Sequence, residues 1–364
     1  MISRDNKDRT KTRVVVAMSG GMDSTLSAAL LKEAGYEVTG LHFHLPSTRK
    51  ITDVRLKQAR TMAAFLKIPL EVIDLEKDFK KLIIQPFIDS YMRGLTPNPC
   101  VLCNAIIKFD QLLKYADKRA IEYVATGHYA RVTNDENDIK GLMRGIDQNK
   151  EQSYFLNRIQ PIHLQRLILP LGGMTKEGAR NAAKDRGLPN HSQPESQEIC
   201  FIPDNDYRAF VESERDLEIQ SEGDIVDRFG KVLGSHRGIY RYTIGQRHGL
   251  GIASERPYYV IGLNPLDNRV IVGRREELYR NQVEADSFNW IKGMPSKNEF
   301  KALAQIRYKH KAAPGQVQII SETKVRFRFD KPQSAITPGQ ALVCYDGDRV
   351  LGGGWIRGMT KEEG

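Results

Sequence analysis

The hexapeptide Ser19-Gly20-Gly21-Met22-Asp23-Ser24 constrains this chain more than any other stretch. It follows the apolar run Val14-Val15-Val16-Ala17-Met18 and opens a helical pattern from Thr25 to Glu33. A strand that feeds a glycine-rich turn and then a helix N-terminus builds an anion site. The glycines let backbone N–H groups approach a phosphate, and the first helical turn adds unpaired donors and the positive end of its dipole. Ser19 and Ser24 add hydroxyl donors. An aspartate among phosphate donors needs a cation, so Asp23 points to Mg²⁺ arriving with a nucleotide. The turn holds no lysine, which separates it from the GxxxxGK loop.

Around that turn the pattern alternates. Glu37 to Phe43 reads as a second strand, Asp53 to Leu66 as a helix, Leu70 to Ile73 as a third strand and Phe79 to Tyr91 as a helix. Cys103 to Lys118 follows as a helix and Tyr123 to Thr126 as a strand. This order predicts an α/β fold, a doubly wound parallel sheet with ligands at the strand C-termini. Leu41 to His44 and Thr126-Gly127-His128 then border the crevice of the phosphate turn, with Gly127 where a backbone passes close to an adenine or ribose. Met174 to Leu188 reads as a further helix. The polar loop Pro189 to Gln197 leads from it to the apolar island Ile199-Cys200-Phe201-Ile202-Pro203, where Ile199 and Phe201 fit a core strand.

From about Tyr207 the pattern changes to short stretches punctuated by Gly223, Gly230, Gly234, Gly238, Gly245, Gly249 and Gly251, as in a small β-rich module. Tyr258 to Leu263 and Arg269 to Val272 make a hairpin. Ala302 to Tyr308, Gln316 to Ile320, Lys324 to Phe329, Ala341 to Tyr345 and Arg349 to Ile356 have the spacing of a closed or nearly closed β-barrel. The chain therefore divides into 1–206, a nucleotide-binding α/β domain, 207–280, a central β-rich domain, and 281–364, a C-terminal β-barrel.

No apolar run approaches the ~20 residues of a membrane helix. Met1 to Thr12 is polar and mixed in charge, unlike a signal peptide. These features imply a cytoplasmic protein with no membrane partner, and the formal net charge of +10 favours a polyanion beyond the nucleotide. Four cysteines, Cys100, Cys103, Cys200 and Cys344, are too few and scattered for a disulfide scaffold. Cys100-Val101-Leu102-Cys103 has the spacing of a zinc knuckle or a redox pair, but no second close pair completes a zinc site. His42 and His44 likewise share a strand face without a third ligand. The proline-framed loop Thr96-Pro97-Asn98-Pro99 would fix Cys103 at a helix start, where the dipole favours a thiolate. Cys200, after the polar stretch Ser192 to Glu198, reads either as a core cysteine or as one that swings into a cleft. Cys344, in Ala341-Leu342-Val343-Cys344-Tyr345, reads as core.

The turn resembles the SGGxDS loop of pyrophosphatase-loop (PP-loop) ATPases. Further motifs follow in order: Thr96-Pro97-Asn98-Pro99 through Cys103-Asn104, Ile107-Lys108-Phe109, Thr126-Gly127-His128-Tyr129-Ala130-Arg131, Lys150-Glu151-Gln152-Ser153-Tyr154-Phe155-Leu156, Ile199-Cys200-Phe201-Ile202 and Tyr242-Thr243-Ile244-Gly245-Gln246-Arg247. This set is similar, nearly end to end, to the bacterial tRNA-specific 2-thiouridylases. The resemblance implies a PP-loop domain of HUP type, a small central β-rich domain and a tRNA-binding C-terminal barrel. It implies ATP-dependent adenylation of the uracil C2 oxygen at the wobble uridine of tRNAs for Lys, Glu and Gln. Persulfide sulfur then replaces that oxygen, giving 2-thiouridine, AMP and pyrophosphate. A sulfur donor, either a cysteine desulfurase or a relay protein, is the implied partner, with ATP and Mg²⁺ as cofactors.

Residue by residue, the resemblance makes Cys103 the nucleophile and Cys200 the persulfide carrier, with a catalytic Cys103–Cys200 disulfide. ATP contacts fall on Ala17, Met18, Ser19, Gly20, Gly21, Met22, Asp23, Ser24, Phe43 and Gly127, with Asp23 also the metal-facing carboxylate. Target-base contacts fall on Asn98, Pro99 and Cys100; tRNA contacts fall on His128, Lys150, Glu151, Gln152, Arg307, Tyr308 and Gln340. Cysteine stands at position 100, where the family commonly has aspartate. The alternatives are a PP-loop sulfurtransferase or ligase with a non-tRNA acceptor, and a zinc-stabilised RNA-binding module.

Overall fold

Val14, Val15 and Val16 are all fully buried, yet they face opposite ways. Val15 joins Leu41, Val124 and Phe109 in one apolar cluster, while Val14 and Val16 join Leu26, Val38 and Ala125 in another. A strand apolar on both faces is the centre of a parallel sheet covered on both sides. The computed structural model describes residues 12–46, 49–134, 138–193, 199–214 and 222–357. Residues 194–198 of the expected polar loop, and residues 1–11 at the polar start, lie outside them.

The first half runs β1 (Arg13–Ala17), α1 (Met22–Glu33), β2 (Glu37–His44), α2 (Arg49–Leu66), β3 (Leu70–Asp74), α3 (Glu76–Phe79), a π turn (Lys80–Ile84), α4 (Gln85–Met92), α5 (Pro99–Cys103), a second π turn (Asn104–Phe109), α6 (Asp110–Lys118) and β4 (Tyr123–Ala125). Then come the strands β5 (Ala130–Asn134) and β6 (Lys140–Arg144), α7 (Pro161–Leu164), β7 (Leu167–Ile168), α8 (Lys176–Asp185) and α9 (Tyr207–Ser213). The first sheet has the order β3-β2-β1-β4-β7, every pairing parallel. Strand order reverses between β1 and β4, so the crevice expected for ligands opens beyond their C-terminal ends.

A second sheet, β10-β11-β8-β9, contains β8 (Gly223–Asp227), β9 (Val232–His236), β10 (Tyr259–Asn264) and β11 (Arg269–Gly273). The last six strands are β12 (Tyr279–Trp290), β13 (Glu299–Gln305), β14 (Ala313–Ser321), β15 (Lys324–Ser334), β16 (Ala341–Asp346) and β17 (Arg349–Ile356). They close into a barrel because β12 pairs with β15 through its first half and with β17 through its second. The register shifts between Asp286 and Asn289, beside Ser287 at φ 50°, and bend the strand between its two partners.

Several segments differ from the sequence reading. Ile199 to Pro203 is a turn, with Ile202 N–H bonded to the Ile199 carbonyl at 3.0 Å, and not a core strand. Tyr207 to Ser213 is helical, capped by Asp206 Oδ1, where a β-rich pattern was expected. The strand expected to reach Tyr308 ends at Gln305, so Arg307 and Tyr308 lie in the following turn. β12 has no counterpart in the sequence reading because its first four residues are exposed and polar positions interrupt its buried face.

The β5–β6 hairpin reaches the barrel, β6 pairing with β17 at Met143 and Arg349. Arg144 secures this seam. Its Nη1 donates to Glu151 Oε2 at 3.1 Å, its guanidinium lies 3.6 Å from the Tyr345 ring centroid, and Tyr345 Oη bonds Gln305 at 3.3 Å. Glu151 is buried; burial pushes its carboxyl up, and the Ser153 bonds and Arg144 pull it back. Arg144→Met strands that carboxylate and should cost about 3 kcal/mol in urea unfolding, whereas Glu151→Gln, which removes the buried charge, should cost clearly less.

Candidate functional site

The phosphate turn is knitted to itself and to α2. Ser19 N–H donates to Ser24 Oγ at 3.2 Å, and Ser24 Oγ and Thr25 Oγ1 each donate to the Gly21 carbonyl at 3.0 Å. Gly20 sits at φ 86°, and a Cβ there would come within 2.8 Å of Ala59 N. The first glycine thus admits α2, while a Cβ on Gly21 would meet only Ser19 Oγ at 3.4 Å. Asn190 Nδ2 ties the turn from outside, donating to the Gly20 carbonyl at 2.9 Å and Thr25 Oγ1 at 3.0 Å.

Two expectations change here. A Cβ on Gly127 would lie 2.9 Å from Asp23 C and 3.1 Å from Ser24 N, so its close backbone neighbour is the first turn of α1. Asp23 also has a cation within the chain: Lys176 Nζ donates to its two oxygens at 2.8 and 2.7 Å, and Tyr129 Oη donates at 2.7 Å. The carboxylate therefore does not by itself require a metal. His42 is buried with Nδ1 donating to the Met18 carbonyl at 2.8 Å, its pKa lowered chiefly by burial, while His44 lies 3.5 Å from Glu76. Phe43, between them, packs against both apolar clusters that border the crevice. Among the described residues no three His, Cys, Asp or Glu side chains gather as a metal cage.

The cysteines come together from 97 positions apart in the sequence. Asn98 caps α5, its Oδ1 accepting from Val101 N–H at 3.4 Å, and Pro99 occupies the first helical position. Cys103 therefore sits at the end of this short helix rather than at its start, and it is buried. Burial pushes Cys103 up to about 12 and Cys100 up to about 11, so the thiolate expected from the helix dipole is disfavoured. Lys108 pulls both thiols back down. Five residues apart in an α-helix would put Lys108 far around from Cys103; the intervening π turn, closed by i to i+5 bonds, brings them onto one side.

Cys200 is exposed, but Phe201 is not. That ring packs edge-on to Phe79 at 5.6 Å and Phe87 at 5.4 Å and belongs to the same apolar cluster as Cys103 and Ile107. Phe201 thus anchors the turn that brings Cys200 near enough to raise the pKa of both Cys100 and Cys103. Arg55 Nη1, from the helix that packs on Gly20, donates to the Cys200 carbonyl at 3.4 Å. All four cysteines are free thiols here, Cys344 in the barrel core as expected.

The Thr96-to-Pro99 loop is gripped by the other two sheets' domains. Thr96 N–H donates to the Pro338 carbonyl at 2.9 Å, Gln340 Nε2 donates to the Thr96 carbonyl at 2.9 Å, and Thr96 Oγ1 donates to Thr243 Oγ1 at 3.3 Å. Asn98 bonds the hydroxyl of Tyr154, which itself donates to Ala341 O at 3.0 Å. Gln340, expected at tRNA, in this structure bonds the Thr96 loop. Tyr308 leans on Phe155 with ring centroids 4.4 Å apart, and Arg307 Nη1 donates to Ser334 O at 3.1 Å. His128 stacks on Phe109 at 6.0 Å, its Nδ1 2.7 Å from Thr126 Oγ1; burial and then Lys108 hold its pKa down to about 3, so the ring is neutral. Gln152 exchanges bonds with the Tyr129 backbone, Lys150 N–H donates to the Asp147 carbonyl, and Glu151 is turned inward. Lys176, Arg55 and Asn190 had no local signal, since each is placed only by packing between distant segments.

Comparison with known proteins gives three family matches: a tRNA methyl transferase HUP domain over residues 12–204, a tRNA methyl transferase PRC-barrel domain over 210–274 and an aminomethyltransferase beta-barrel domain over 280–356. Similar full-length relatives include the tRNA-specific 2-thiouridylase MnmA of Geotalea uraniireducens, 45% identical over 362 residues and covering 96% of each chain. That of Syntrophotalea carbinolica is 44% identical over 354 residues, covering 96% of this chain and 99% of the relative. That of Carboxydothermus hydrogenoformans is 45% identical over 359 residues, covering 95% and 98%.

The burial of Cys103 predicts slow, pH-dependent alkylation. Iodoacetamide should label Cys200 well before Cys103 by mass spectrometry. The Cys103 rate should climb about tenfold per pH unit from pH 8 to 10 without levelling, because its raised pKa keeps it mostly protonated across that range.

Proposed function

The chain belongs to the family of tRNA-specific 2-thiouridylases, and from that premise we propose the chemistry of its crevice. The protein is a tRNA sulfurtransferase. The observation that carries the details is the meeting of the PP-loop turn, Cys103 and the Cys200 turn around α2 and one aromatic cluster. The matched domain families are named for methyl transfer, but a pair of thiols beside a phosphate turn suits persulfide transfer to an adenylated oxygen.

ATP binds over Ala17 to Ser24, with Phe43 and Gly127 on the border of its site. The carboxylate at the turn, Asp23, is the residue that would hold a nucleotide-borne Mg²⁺. Mg²⁺ supplies charge neutralisation at the phosphates. The uridine C2 oxygen attacks the α-phosphate, releasing pyrophosphate; that oxygen later departs with AMP once sulfur has bonded to C2. The base must leave the anticodon stack to reach Asn98, Pro99 and Cys100. Sulfur arrives as a persulfide on Cys200 from a desulfurase or relay protein. Either the terminal sulfur attacks C2 and Cys103 resolves the linkage, or Cys103 first releases hydrosulfide. Both routes leave a Cys103–Cys200 disulfide that a two-electron reductant reopens. The burial of Cys103 restricts it to this exchange, with Lys108 favouring its thiolate.

We assign residues 1–206, 207–280 and 281–364 to catalysis, a central β-rich connection and tRNA binding. Arg307, Tyr308, Lys150 and Gln152 face the RNA, with His128 a neutral contact and Gln340 reaching it from the loop it holds. Wobble uridines of tRNAs for Lys, Glu and Gln are the proposed substrates. No helix among the described residues is long and apolar enough to cross a membrane, in keeping with a cytoplasmic enzyme.

The test is thiolation of an unmodified tRNA-Lys transcript with ATP, Mg²⁺, a desulfurase and cysteine. Wild type should form 2-thiouridine, while Cys103→Ser and Cys200→Ser should each lower the rate by about a thousandfold or more with ATP binding retained. Thiolation that survives in Cys200→Ser would remove the persulfide role from that residue.

A further inference from the structure

The phosphate turn contains no lysine, yet an ammonium stands at its mouth. Lys176 Nζ lies 2.7 Å from one Asp23 oxygen and 2.8 Å from the other, and 5.4 Å from the centroid of the Tyr129 ring whose hydroxyl shares that carboxylate. Its side chain is 12% exposed against 34% for Asp23, so the ammonium approaches from the protein side and the carboxylate faces the opening. The lysine backbone is fixed as well. It occupies the first position of α8, after the Thr175 cap that accepts from Gly178 N–H at 3.0 Å, and its own N–H donates to Asp147 Oδ2 at 2.8 Å.

Two helix N-termini therefore converge on one carboxylate, α1 through Asp23 at its second position and α8 through Lys176 at its first. Two dipole ends and an ammonium against one carboxylate leave a net attraction for anions. The pair is not needed to dock the helices, because Leu26, Ala28 and Ala29 of α1 already share an apolar cluster with Ala179 and Ala183 of α8. A lysine on a four-carbon stem can turn from a carboxylate to a phosphate without moving its helix.

We propose that Lys176 is the phosphate-binding cation of this turn, delivered by the start of α8 from 153 positions away. Asp23 and Tyr129 hold it in place until the β- and γ-phosphates compete for it. There it opposes the charge that gathers on the leaving pyrophosphate. The inference deepens the nucleotide reading of the turn and rests on it.

Calorimetric titration with ATP, inorganic pyrophosphate and AMP, each with Mg²⁺, tests it on wild type, Lys176→Gln and Lys176→Arg. Lys176→Gln should bind ATP and pyrophosphate about tenfold or more weakly, AMP within about twofold of wild type, and Lys176→Arg should recover most of the loss. Melting scans guard against a folding defect: the Tm increment produced by pyrophosphate, rather than Tm itself, should shrink in Lys176→Gln at the same ligand concentration and be largely restored in Lys176→Arg. Unchanged pyrophosphate binding in Lys176→Gln, or an equal loss of AMP binding, overturns the proposal while leaving the nucleotide reading intact. Wild-type protein that binds neither ATP nor pyrophosphate overturns both.

Discussion

Burial of β1 on both faces is the constraint on which the rest of the first domain depends. Fully burying a valine contributes about 1.5–3 kcal/mol, and Val14, Val15 and Val16 commit successive side chains to opposite clusters. A one-residue slip would exchange those faces, so the strand has one register. That register sets where β1 ends, hence where the serine-glycine turn begins and which N–H groups of α1 point into the crevice. The glycines then divide the work. Gly20 lets α2 close on the turn, Gly127 lets β4's exit pass beneath α1, and Gly21 keeps a face without close neighbours beyond Ser19 Oγ.

The cysteine chemistry is a contest between burial and charge. The helix N-terminus is a weak influence beyond its first turn, and desolvation of Cys103 outweighs it. The site answers with Lys108, swung onto the thiol by a π turn, and the same cation helps keep the neighbouring His128 neutral. A buried, largely protonated thiol is protected from adventitious oxidation, while Cys200 stands exposed at the surface. The aromatic packing of Phe201 gives this division its geometry, since it anchors the residue next to the exposed cysteine.

The barrel is more than an appended binding module. Pro338 and Gln340 from its rim bond both backbone groups of Thr96, Thr243 of the central domain bonds its hydroxyl, and the β5–β6 hairpin reaches back to β17. These bonds tie the barrel rim to the loop two residues from Asn98. Of the residues expected to meet RNA, Tyr308 leans on Phe155 and Arg307 bonds Ser334 in the turn after β13, whereas Glu151 is buried in the seam itself.

The family, the parallel sheet and the barrel were legible in the sequence because they rest on local and periodic signals. The turn needs contiguous residues, β1 reads as an apolar run, and the ordered motifs around both cysteines are contiguous strings; the 2-thiouridylase resemblance and the α/β-plus-barrel architecture are borne out. Strand β12 escaped because its outward positions are polar and its two halves serve different partners. The partner of Asp23, the burial of Cys103 and the grip on Thr96 were decided only by tertiary structure. Each depends on side chains more than a hundred positions apart, or on how much water the packed fold leaves around a thiol, and neither quantity has a local pattern in the chain.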